Sequence, residues 1–233
     1  YEPMPKDFNP EKGTVSRAVA TCPVCGGTVD DKTTRWLFQN GKSGERMVAV
    51  VTTKTGTNGK KYRIATTKDI ETFQRAEEYL KEKREKLMAE WGMDPVPDEP
   101  TPEGKGSGAE RAFSVRNYGM NTWGDLFNSR QKLALVTFTE KVRQAYRQML
   151  GSGYDEQYAK AVVSYLALSI DRQVDYNSRL CLWAVAGEFI AHTFGRQALP
   201  MVWDYFELCP WSEATGDWNS AVDWISRTIE HFS

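Results

Sequence analysis

The sequence predicts an α+β protein: a small β-hairpin unit with one long helix over residues 1–92, a Pro/Gly-rich linker over 93–110, and a mainly α-helical bundle over 111–233. Three observations predict it. The N-terminal part carries a Cys-x-x-Cys-Gly turn and two alternating strands flanking a glycine-rich turn. At Thr67 the apolar period changes from two to about 3.6. Beyond the proline-rich stretch, apolar residues recur at helical spacing.

With 233 residues, 40% hydrophobic and 12% aromatic, the chain has ample material for a buried core. No apolar run approaches the roughly 18 residues of a spanning helix. Four scattered cysteines make no disulfide framework, so a reducing cytoplasm is expected. The net charge of -1 is unevenly divided: 17 Lys+Arg against 13 Asp+Glu up to residue 92, and 13 against 18 thereafter. The positive field on the first part permits nucleic-acid contact. The sequence starts at Tyr1 with neither methionine nor signal pattern and reads as a piece of a longer protein.

Taken in order, Arg17 to Thr21 reads as a strand entering Cys22-Pro-Val-Cys25-Gly-Gly. Backbone amides of such a turn soften thiolate charge while both sulfurs face one tetrahedral ion, as in a zinc ribbon. Cys22 and Cys25 are therefore the candidate metal ligands, and they are half of a set of four. Cys181 and Cys209 stand alone in apolar surroundings, so the missing pair comes either from distant parts of the fold or from a knuckle preceding Tyr1; the second reading is preferred.

Met47 to Thr53 and Lys60 to Ala65 form a predicted hairpin around Gly56-Thr57-Asn58-Gly59. Lys54, Lys60, Lys61 and Arg63 crowd that hairpin, either to neutralise phosphates or as a solubilising turn. From Thr67, the residues Ile70, Phe73, Ala76, Leu80, Leu87 and Trp91 mark one helix face, with Thr66 and Asp69 as a cap. The opposite face, with Lys81, Glu82, Arg84 and Glu85, reads as solvated.

Residues 94–108 hold four prolines and three glycines and read as a linker or exposed loop. Leu135, Phe138, Val142, Ala145, Tyr146 and Met149 form one helical stripe; Tyr158, Val162, Tyr165, Leu166 and Ile170 form another. Gly151-Ser152-Gly153 separates them as a helix end, with Ser152 and Asp155 as a capping pair for the next helix, so the two pack antiparallel. A third helix is expected over Leu180 to Phe194, and a last one carries Trp218, Val222, Ile225 and Ile229.

Catalytic material is sparse. His192 and His231 fall on expected helices without a neighbouring nucleophile motif. Asp171, Asp175, Asp204 and Glu207 could converge within the bundle, yet no Glu-x-x-His pattern accompanies them. Trp123, Trp183, Trp203 and Trp211 read as core. Gly151-Ser152-Gly153 follows a helix rather than a strand, which argues against a cofactor loop. Asp94-Pro95-Val96-Pro97 lacks the second adjacent proline and the aromatic residue of an Asp-Pro-Pro-Tyr motif.

Tyr118-Gly-Met-Asn-Thr-Trp-Gly-Asp-Leu-Phe-Asn-Ser-Arg-Gln131, Tyr158-Ala-Lys-Ala, Tyr165-Leu-Ala-Leu and Thr193-Phe-Gly-Arg-Gln-Ala-Leu-Pro-Met-Val-Trp-Asp-Tyr205 together resemble the central region of zinc-ribbon-containing adenine-specific DNA methylases of bacteria and archaea. The resemblance runs from about Gly13 to the C-terminus. It implies an S-adenosylmethionine loop upstream, an Asp-Pro-Pro-Tyr motif downstream, and a further cysteine pair ahead of Cys22. Zinc is then a ligand of the full-length protein, and S-adenosylmethionine a cofactor of the parent enzyme that this chain does not bind.

By the same resemblance the chain is a non-catalytic insert for target recognition, with double-stranded DNA and the rest of the methylase chain as partners and no membrane. Arg116, Asn117, Arg130, Gln131, Arg196 and Gln197 join the hairpin residues as candidate DNA contacts, because guanidinium and amide groups fit base edges and phosphates. Asp125 and Arg130 could instead cap the helix that begins near Asn128. The alternative function is a structural or partner-binding module within a DNA-modification or phage-defence complex.

Overall fold

The computed structural model describes residues 9, 13–17, 19–22, 24–54, 59–104 and 109–232. It is an α+β fold in which three small antiparallel sheets decorate a helical bundle. Strands β1 (Val15–Ser16), β2 (Val19–Thr21) and β3 (Thr28–Val29) form a three-stranded antiparallel sheet in chain order. The expected strand starting at Arg17 is shorter because Arg17, with φ 51°, turns the chain from β1 into β2.

Helix α1 (Asp31–Gln39) follows at once. It was not expected from the sequence, although its signal is local: the Asp30 carboxylate accepts from Thr33 N at 2.7 Å, an N-cap just ahead of Trp36 and Leu37. The expected hairpin is present as β4 (Ala49–Thr52) paired with β5 (Lys61–Ile64), in register Val50 opposite Arg63 and Val51 opposite Tyr62. Its turn at Gly56 to Asn58 lies outside the described residues.

Helix α2 (Thr67–Trp91) begins at the expected cap, with Thr66 and Asp69 forming a reciprocal capping box, and ends at left-handed Gly92. Of its apolar stripe, Ala76, Leu80 and Leu87 are buried, whereas Ile70 is exposed. Residues 94–104 of the expected linker lie against the body rather than spanning free space. Val96 packs with Leu87 and Val136; Thr101 is buried, its N–H bonded to Asn121 O at 2.9 Å and its hydroxyl to Met120 O at 3.0 Å. Proline removes donors here, yet the remaining amides and carbonyls pair in order, with Trp123 N donating to Glu99 O and Gly124 N to Pro97 O at 3.0 Å each.

After the short helix α3 (Ala109–Ala112), two 3-10 turns (Ser114–Tyr118 and Trp123–Leu126) lead into helix α4 (Ser129–Gly151). Helix α5 (Glu156–Tyr176) returns beside it, as the stripes predict. Ser152 closes α4, while Asp155 alone caps α5, accepting from Tyr158 N at 3.0 Å; the expected Ser152–Asp155 pairing is not made. α4 packs on α2 and α5, and the last helix, α6 (Trp218–Phe232), packs on α5.

The expected helix over Leu180 to Phe194 is instead a hairpin, β6 (Leu182–Ala184) against β7 (Phe189–Ala191). Short apolar runs satisfy either period, and tertiary packing decides here: Ile190, Cys181 and Leu208 bury together with Trp183 and Phe206 against them. The main core joins Val115, Met120, Leu126, Phe127, Leu180 and Leu199. Among the described residues, no helix is long and apolar enough to cross a membrane.

Candidate nucleic-acid interface and the cleft beside it

The Cys22–Cys25 turn is a folded knuckle. Cys22 N donates to Gly27 O at 2.8 Å and Gly26 N to Cys22 O at 2.9 Å, with Gly26 in the left-handed region at φ 72°. Both thiols are exposed, and backbone N–H groups of Cys25 and Val24 lower the Cys22 thiol below its ordinary range. That is the environment a thiolate ligand needs. Zinc, the metal implied by the resemblance, fits this half: Cys22 and Cys25 would hold it with two of its four ligands. No group of three or more His, Cys, Asp and Glu able to hold a metal occurs among the described residues. Cys181 is buried under β7, and Cys209 lies in the segment following Leu208.

The basic hairpin residues have different fates. Lys60 and Lys61 form no ion pair among the described residues, and Lys60 Nζ stands 5.8 Å from the Trp183 ring. Lys54 is exposed just beyond β4. Arg63 is committed to the fold, gripping Asp69 through Nη1 at 2.6 Å and Nη2 at 2.8 Å. Tyr62 anchors the hairpin to the β6–β7 unit by donating to Glu188 at 2.5 Å and meeting Trp183 edge-on.

The bundle candidates are not gathered into one face. Arg116 donates to Thr101 O at 2.6 Å and pairs with Glu103 at 3.3 Å, holding the proline-rich stretch. Asn117 gives its carbonyl to Gln39 Nε2 at 3.2 Å, joining α1 to the first 3-10 turn. Gln131 is fully buried and forms a capping box with Asn128, each side chain accepting the other's amide at 2.9 Å. Asn128, rather than Asp125 or Arg130, therefore caps α4. Asp125 caps the second 3-10 turn, and Arg130 pairs with Glu207 while lying over the Phe73 ring. Arg196 and Gln197 are exposed in the loop after β7.

The four carboxylates do not converge. Asp175 takes Phe194 N at 2.8 Å and His192 Nδ1 at 3.1 Å, so it staples the end of α5 to the end of β7. His192 thus sits at a hairpin end, off any helix, and Glu207 belongs to Arg130. Gly151-Ser152-Gly153 joins two helices, with no strand before it, and makes no phosphate cradle.

Sequence reasoning missed a cleft of about 1030 Å³ between β4 and residues 201–215. Tyr205 donates to Glu45 at 2.6 Å and accepts from Asn128 Nδ2 at 2.9 Å; Arg179 pairs with Glu45 at 2.6 Å. Burial, reinforced by the Glu45 hydrogen bond, pushes the Tyr205 phenol well up from its ordinary value. Trp203 and Trp211, expected in the core, are partly exposed and line this cleft, as does Trp183. Their signal was the clustering of aromatic residues at 203, 205, 206 and 211 in a segment without helical period.

Comparison with protein-family models, with curated proteins and with solved structures gives no match.

Proposed function

We propose that this chain is the non-catalytic insert of a DNA adenine-N6 methyltransferase and meets double-stranded DNA through the β4–β5 hairpin. The observation that carries this reading is the division among the basic residues. Lys60 and Lys61 stand on the hairpin without carboxylate partners among the described residues, with Lys54 nearby, whereas Arg63, Arg116 and Arg130 are held by carboxylates. Ammonium groups on long stems neutralise phosphates without demanding a base sequence. The Cys22–Cys25 turn, which precedes the hairpin in the chain, is of the kind that the zinc-ribbon resemblance implies. Methyl transfer uses S-adenosylmethionine and an Asp-Pro-Pro-Tyr motif, which the resemblance places in other parts of the methylase.

The test is duplex binding by fluorescence anisotropy across a salt titration, with Lys54, Lys60 and Lys61 changed together to alanine. Each lost phosphate contact lowers the log–log salt slope by about 0.9, so the triple variant should lose up to about 3 in slope. Absence of salt-sensitive binding, or an unchanged slope in the variant, overturns the reading.

A specific observation also favours the partner-binding alternative. Tyr158, Tyr165 and Leu168 are exposed at heptad-like spacing on α5, and Tyr154 stacks on Tyr158 at 6.0 Å. Binding to the remaining methylase chain without DNA affinity would select this second reading.

A further inference from the structure

We infer that the cleft between β4 and residues 201–215 is a binding site for a neutral, purine-sized nitrogen heterocycle, either as a free nucleoside or as an unpaired base of a nucleic-acid strand. The inference is separate from the hairpin reading: its polar anchors are Asn177 and Ser212, although Lys60 of the hairpin also lines the cleft.

Its first support is an uncompensated amide. Asn177 lines the cleft, is only 1% exposed, and its Oδ1 has no hydrogen-bond partner. A buried carbonyl oxygen left unpaired forfeits its solvation without compensation, so folds retain few such groups. Two more buried polar atoms on the same lining are likewise without partners: Ser212 Oγ and Arg179 Nε. An amide sets an acceptor beside a donor, which is the complement of a heterocycle edge carrying an amino group next to a ring nitrogen.

The second support is the wall. Trp183 stacks on Phe206 with centroids 4.8 Å apart, and Trp203 and Trp211 present partly exposed rings to the same space. Flat rings stack on such surfaces, whatever their substituents. The third is charge. Of the lining carboxylates, Glu45, Asp69 and Glu207 are each held by an arginine, Arg179, Arg63 and Arg130, Glu188 accepts from Tyr62, and Asp204 shares the lining with Arg46 and Lys60, so the charges come close to balance and suit a neutral ligand over an anion. A volume of about 1030 Å³ accommodates a nucleoside with its sugar.

The experiment is saturation-transfer NMR on the whole chain with adenosine, guanosine, cytidine and thymidine, and with a single-stranded oligonucleotide. Asn177→Leu and Ser212→Ala are compared with the unaltered protein, and unfolding midpoints are measured for each. We expect transfer strongest to base protons, weakened at least about tenfold by Asn177→Leu and several-fold by Ser212→Ala. The unliganded Asn177→Leu protein should be as stable as the parent or more so, because an unpaired buried amide is replaced by an apolar group of similar shape. Nucleoside binding should survive a Lys54 and Lys61 double change, neither of which lines the cleft, which separates its failure from failure of the DNA reading. Saturable binding of free nucleosides identifies a small-molecule site; base-proton transfer from the oligonucleotide alone, lost in Asn177→Leu, identifies a strand-borne base. No transfer from either source, transfer unchanged in both variants, or a marked loss of stability in unliganded Asn177→Leu overturns the inference.

Discussion

Arg63 on β5 grips both carboxylate oxygens of Asp69, the third residue of α2, with distances of 2.6 and 2.8 Å. The same carboxylate accepts from Thr66 N at 2.8 Å, so one side chain caps the long helix and ties the hairpin to it. Asp69→Ala should therefore lower the chemical-denaturation midpoint, because the capping interaction and the tie to the hairpin are lost together. Arg63→Ala should also destabilise the fold, whereas Lys61→Ala should leave stability within about 0.5 kcal/mol. Equal stability of the Arg63→Ala and parent proteins would remove Arg63 from the structural set.

Glu140 is buried on α4 and bridges to Lys83 at 2.5 Å and Lys86 at 3.5 Å, both on α2. Glu140→Gln should cost about 1–3 kcal/mol, because a charge-assisted bond is lost where water is excluded. A double-mutant cycle with Lys83→Met isolates the coupling; a coupling near zero contradicts this account.

Acid should unfold the chain through its paired carboxylates. Hydrogen bonding from Arg63, Arg84 and Lys83 holds Asp69, Asp94 and Glu140, respectively, below the usual carboxylate range. A depressed folded value contributes stability that is present above the unfolded value of about 4 and is lost as pH falls through the folded one. Unfolding midpoints should be flat from pH 7 to about 5 and fall steeply below about 4. Asp69→Asn should flatten that fall, and a parallel curve would refute its share.

Gly124 has room for no side chain. A Cβ there would lie 2.7 Å from both Pro97 O and Val96 Cγ1. Gly124→Ala should cost about 1–3 kcal/mol by overpacking and should expose residues 94–104 to limited proteolysis before the helices. Unaltered protection of that stretch would show that it is held elsewhere.

Cys22 should be the fastest thiol to alkylate near neutral pH, since backbone N–H groups favour its thiolate and it is exposed. Cys181, buried at 0% exposure, should react only on unfolding. With cobalt(II), the charge-transfer band should have the intensity of two thiolate ligands and vanish in Cys22→Ser; a four-thiolate spectrum would contradict the half-site.

Much of the architecture was legible because it rests on local signals. Thr66 and Asp69 announce α2, Gly151 to Gly153 separate α4 from α5, and alternation flanking the glycine-rich turn marks β4 and β5. Cys22 and Cys25, three positions apart, also lie in one turn because the hydrogen bonds that close it are local. The β6–β7 hairpin was not legible: Trp183 and Ile190 take their conformation from Phe206 and Leu208, about twenty residues away, and the local run is equally apolar in either period.

The sequence by itself determined the knuckle, the β4–β5 hairpin and helices α2, α4, α5 and α6, since periodicity, caps and turn residues act within a few positions of the chain. Only the tertiary structure decided which charges are free. Arg63, Arg116 and Arg130 read like Lys60 and Lys61 in one dimension, and folding placed a carboxylate against each arginine. It also opened the cleft around Asn177, whose burial and unpaired oxygen depend on segments as distant as β4 and residues 201–215. Desolvation and pairing are properties of the packed neighbourhood, and no spacing along the chain encodes them.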